Sequence, residues 1–140
     1  MGTYMTGPFQ TGTGLDNTGT DTGTVVLSQT GLVGFDADLV QDLTFTLPAN
    51  AQIVDFVVDA LVGYDSATSA TLSAGTASGG TQYLSGINVK TTGRKSNGFS
   101  AAQLAAIDDI DNNTSVVVTV TSVGQPTAGS VRVTVLYVQN

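Results

Sequence analysis

Cysteine, histidine, tryptophan and glutamate are all missing from these 140 residues. Without cysteine there is no disulfide and no thiolate nucleophile, and without cysteine or histidine there is no ordinary zinc site and no imidazole base. Because glutamate is missing, all eleven acidic residues are Asp; they face four basic residues, for a net charge of −7. That balance repels a phosphate backbone, so nucleic acid is not expected as a partner. Long apolar runs are lacking too. No stretch approaches the roughly 18–20 residues that span a bilayer, and no Lys or Arg precedes the few apolar residues of the N-terminus as in a secretory signal. No membrane partner is expected, and the product should be soluble and made in a cytoplasm. Aromatic residues make up only 6%. What abounds instead is Gly, Thr, Ser, Val and Ala, the make-up of an all-β chain with many turns, and the length suits a single core.

The stretch from Ser115 to Val138 leaves the least choice. Val116, Val118 and Val120 alternate with Val117, Thr119 and Thr121, and Val131, Val133, Val135 and Tyr137 alternate with Arg132, Thr134, Leu136 and Val138. A period of two means strands, and β-branched side chains suit a pleated surface. Gly124, Pro126 and Gly129 lie between the two runs, which therefore read as an antiparallel hairpin with an inward Val face that needs a second layer. Val25 to Leu27 starts a first strand, and Gly31, Gly34, Asp36 and Asp38 read as loop. Leu43, Phe45 and Leu47 alternate until Pro48. Val54, Phe56, Val58, Ala60 and Val62 form one strand face, which puts Asp55 and Asp59 on the other with Ile53, Val57 and Leu61. A small-residue strand around Leu72 and a short one through Tyr83, Leu84, Ile87 and Val89 follow. The helix near residues 100–107 is short: Ser100 and Gln103 have capping-box spacing, and Leu104, Ala105 and Ile107 supply its apolar side. Six to eight strands at this spacing predict a single-domain β-sandwich, jelly-roll-like, over residues 25–140. Residues 1–24, low in complexity and rich in Thr and Gly, have little apolar surface to offset their ordering cost and read either as a disordered tail or as an arm that orders on a neighbouring subunit, with Tyr4, Met5 and Phe9 as its anchors.

Few constellations carry chemistry. Asp108, Asp109, Asp111, Asn112 and Asn113 are the densest oxygen cluster, but no Gly stands at the sixth place and no Glu closes the loop, so a solvated turn is expected rather than a calcium site. Asp55 and Asp59 share a strand face with apolar neighbours and do not make a glycosidase pair. No nucleophile–base pair can be named, so no catalytic residue, no metal and no cofactor is assigned. Lys90, Arg94 and Lys95, three of the four cations, fall within six positions in a Gly- and Ser-containing loop. On so acidic a chain they are the candidate electrostatic contact with an acidic protein surface, joined by Tyr4 and Phe9 of the arm.

The run Thr46-Leu47-Pro48-Ala49-Asn50-Ala51-Gln52-Ile53, then Asp55, then Leu72-Ser73-Ala74-Gly75-Thr76, resembles the β-sandwich cement (decoration) proteins of tailed-bacteriophage heads. Ala101-Ala102-Gln103-Leu104 and Pro126-Thr127-Ala128-Gly129, followed by the Val131 to Tyr137 alternation, complete the resemblance over roughly 43–138. It implies a jelly-roll-like fold, no catalytic residues, and a place in many copies on the outer capsid surface after synthesis in the bacterial host cytoplasm. Its implied partners are the phage major capsid protein of the HK97 type and further copies of the chain; edge strands left uncovered in a domain of this size point separately to a homodimer rather than a trimer, since symmetric pairing is the commonest way to cover them. Phage tail or fibre modules that bind host-surface glycans share such patterns and form the alternative.

Overall fold

The computed structural model describes residues 23–139. In chain order they form β1 (Leu27–Gly34), β2 (Val40–Thr46), β3 (Gln52–Val62), β4 (Ser69–Gly75), β5 (Leu84–Asn88), β6 (Gly93–Arg94), α1 (Ala101–Asp108), β7 (Ser115–Val123) and β8 (Ser130–Val138). The first sheet has the order β1-β8-β3-β6 and the second β2-β7-β4-β5. Every neighbouring pair is antiparallel. Two four-stranded sheets with this interleaved order are the double Greek key of a jelly roll, so the expected all-β sandwich with one short helix is the observed fold.

The hairpin expected from Ser115 to Val138 is not there. β7 pairs with β2 and β4 in the second sheet, and β8 pairs with β1 and β3 in the first. Stacked sheets lie about 10 Å apart, a gap that the Gly124–Gly129 connection can cross, so the chain changes layer instead of turning back beside itself. The two Val faces therefore meet across the core. Val116, Val118, Val120, Val131, Val133 and Val135 are all fully buried there, with Phe56, Leu72, Leu84 and Ile110 around them.

Three local expectations need correction. Gly31 and Gly34 belong to β1, not to a loop; Gly31 faces inward where a Cβ would lie 2.7 Å from Leu43 Cδ2, so a larger residue would make the Leu43 side chain shift at this edge. The β3 pairing shifts register between Ile53 and Asp55 and again between Ala60 and Val62. These bulges turn Ile53 inward and leave Val54 and Val62 exposed, while Phe56, Val58 and Ala60 keep the expected inward phase. In α1 the Ser100 capping box forms as expected: Ser100 Oγ accepts from the Gln103 N–H at 3.2 Å, and Gln103 Oε1 accepts from the Ser100 N–H at 3.0 Å. Its buried side, however, is Gln103 and Ile107, with Leu104 facing solvent.

Candidate functional site

Strand register brings Leu32, Arg132, Asp59 and Arg94 into one row across all four strands of the first sheet. All four stand outward because the inward phase belongs to Val33, Val131, Val133, Val58 and Ala60. Arg94 donates through Nε to Asp59 Oδ1 at 2.7 Å and through Nη2 to Oδ2 at 3.0 Å, and Arg132 Nη2 reaches the same Oδ2 at 2.9 Å. Asp59 is buried beneath these two cations, whereas the Arg94 and Arg132 side chains remain 69% and 46% exposed. The Arg94 hydrogen bonds, followed by those of Arg132, hold the Asp59 carboxyl far below the ordinary carboxylate range, and Asp59 in turn raises Arg94. The neighbouring row is Thr30, Thr134 and Val57, with the two threonine hydroxyls 2.9 Å apart. Together the two rows, Leu32 excepted, line a shallow depression on the outer face of the sheet.

Of the cations singled out in the sequence, Arg94 is therefore committed to Asp59 and fixes the two-residue strand β6 at the sheet edge. Lys95 donates its backbone N–H to Val58 O at 2.9 Å, and its Nζ folds back on Thr91, 2.6 Å from the carbonyl and 2.8 Å from Oγ1. Lys90 is half-buried, its N–H bound to Asn88 Oδ1 at 2.8 Å. The segment is tied to β3 rather than free. Tyr4 and Phe9 lie outside the described residues. Arg132, which sequence reasoning passed over, is the cation that completes the cluster.

The Asp-rich stretch after α1 has an evident structural use. Asp109 Oδ1 accepts from the Asp111 N–H and from Asn50 Nδ2, and Asp108 Oδ1 accepts from Gln52 Nε2, so the stretch ties the turn before β3 to the turn before β7. Among the described residues no three acidic side chains gather as a metal site requires. At the opposite end of the sandwich, Asp65 accepts from the Thr127 hydroxyl and N–H and from the Ala128 N–H, which lower its pKa. That end is also apolar: Phe35, Leu39, Val40, Leu61, Val62 and Val123 are exposed at or near it.

No known protein family and no curated protein matches this chain. Among solved structures, a chain of the cyanophage Pam1 capsid asymmetric unit is similar, with a TM-score of 0.54 and 22% identity over 97% of this chain and 100% of that one. The likeness is one of fold.

Proposed function

We propose that this chain is a non-enzymatic structural protein of a phage virion, which coats the outside of an HK97-type capsid and holds neighbouring major capsid proteins together. The observation that carries this reading is the likeness of fold, over 97% of this chain and 100% of the other, to a component of a phage capsid asymmetric unit. Two further features support it. The outer face of the first sheet gathers cations on an otherwise acidic molecule, and the end with Phe35, Leu39, Val40 and Val123 offers apolar area. Two separate surfaces are what a tie between neighbours needs. In this reading Lys90, Arg94 and Lys95 face the capsid protein, and the Thr/Gly arm adds grip through Tyr4 and Phe9 after docking.

The test is to mix undecorated capsids with the parent protein, with a Lys90/Lys95 double Ala variant and with a variant that starts at Thr24. The parent should bind in hundreds of copies per particle and raise the temperature at which particles rupture. The double variant should associate more slowly at low salt, and the shortened one should keep its melting temperature while occupying fewer sites. If denaturing gels of virions show a few dozen copies or fewer, the glycan-binding tail or fibre module takes its place.

A further inference from the structure

Half of the chain's Lys and Arg residues converge on one carboxylate. One arginine would neutralise Asp59 and hold β6 in place; Arg94 does both through its two-point pairing. Arg132 is surplus to that task and leaves the cluster with a net positive charge. Most N–H donors of both guanidiniums are not spent on Asp59, and both side chains are substantially exposed. Among the described residues no second acidic side chain lines the depression, whose walls are Thr30, Val57, Arg94, Arg132 and Thr134. Asp55, two outward positions along β3, makes no ion pair with either arginine; it lines the neighbouring depression on the other side of Arg94, and its Oδ1 accepts from the Phe56 N–H at 2.8 Å and from Asn97 Nδ2 at 3.2 Å. The arginines are held in place by a buried acceptor, so little side-chain entropy remains to be lost on meeting an anion.

We propose that this depression is a docking socket for a single Asp or Glu side chain of a partner protein, received between Arg94 and Arg132. A carboxylate fits because its two oxygens match the planar donor edges of guanidinium groups, and because the charge it brings balances the excess cation. The Thr30 and Thr134 hydroxyls border its approach, and Leu32, 60% exposed at the end of the Arg row, adds an apolar contact beside it. The inference rests on the reading of the chain as a capsid-binding protein only for the identity of the partner.

The experiment uses the full chain, labelled with nitrogen-15, and follows the arginine Nε–H resonances during addition of a blocked Gly-Glu-Gly peptide. The Arg94 and Arg132 signals should move saturably with a dissociation constant on the order of millimolar, and raising NaCl from 50 to 500 mM should weaken the response several-fold. Arg132→Ala should weaken it about tenfold, and Arg132→Lys, which keeps the charge and loses the fork, should fall between Ala and the parent. Melting curves on both variants establish that the fold is intact. An equal response to the Gly-Gln-Gly peptide, or no movement by 50 mM, overturns the socket and leaves an internal ion cluster. Tighter saturation by glucuronate than by the peptide overturns the partner class in favour of a glycan. On capsids, equal binding by the parent and Arg132→Ala removes the socket from the capsid contact while decoration itself stands. A peptide response without any capsid binding does the reverse.

Discussion

Asp59 is the side chain at which burial, pairing and charge meet, and its response to acid follows from their signs. Its folded-state pKa lies below its unfolded value, so the ionised form stabilises the fold. That contribution is fully present above the unfolded value of about 3.9 and is lost as pH falls through the depressed folded value. Asp59→Asn should therefore melt below the parent at pH 6–7, with the gap closing only as pH drops below about 4. A gap that stays constant from pH 7 to pH 2 would assign the effect to packing instead of charge. Val133 is the apolar counterpart: it is fully enclosed, and Val133→Asp places an unpaired carboxylate in the core at a cost of several kcal/mol, against about 5–15 kcal/mol for a whole domain. A far-UV spectrum and melting point like the parent's would refute it. At this scale the sequence was half readable. Alternation placed Asp59 and Arg132 on the outward phase of their strands, yet their union joins positions 73 apart, and Arg94 comes from 35 away. Such partners are chosen by strand pairing, which no local pattern contains.

Local chemistry was read correctly where an element closes on itself. The capping box of α1 needs only residues 100 and 103, and both of its hydrogen bonds form. Gln103 does more than the motif requires: buried, it also donates through Nε2 to Thr81 O at 3.3 Å and to Ser85 Oγ at 3.2 Å, anchoring the helix to the loop before β5 and to β5 itself. Ser100→Ala should cost about 1 kcal/mol, the usual worth of an N-cap, and Gln103→Ala distinctly more because it also loses a buried side chain and its two hydrogen bonds to Thr81 and Ser85. Urea denaturation of the two variants checks the order; a larger loss for Ser100→Ala would mean that Gln103 contributes only to the cap. Longer-range geometry was harder. The alternation in β7 and β8 identified both strands and their buried faces, but a period of two does not say whether neighbours in sequence pair in one sheet or face each other across two. The bulges of β3 were equally hidden, since Ile53 and Val54 are both β-branched and apolar, and only the register with β8 decides which one turns inward.

For the whole molecule, charge and exposed apolar surface make opposite demands on solution conditions. Copies that each carry −7 repel one another, while Phe35, Leu39, Val40 and Val123 favour contact between like ends, and a two-fold pairing is the commonest way to cover such a surface. Added salt screens the repulsion without weakening apolar burial. Self-association, proposed as a homodimer, should therefore tighten as NaCl rises from 50 to 500 mM. The docking proposed for Arg94 and Arg132 would draw on attraction between opposite charges and should loosen over the same range. Sedimentation of the free protein and occupancy on undecorated capsids, measured across one salt series, set the two trends side by side. Leu39→Ser with Val123→Ser should abolish the first trend and leave the second, since neither residue lies near the arginine row. A parent that stays monomeric at tens of micromolar throughout would remove the apolar end as a self-contact; if that end instead meets the proposed capsid partner, the same double variant should lower occupancy at every salt concentration.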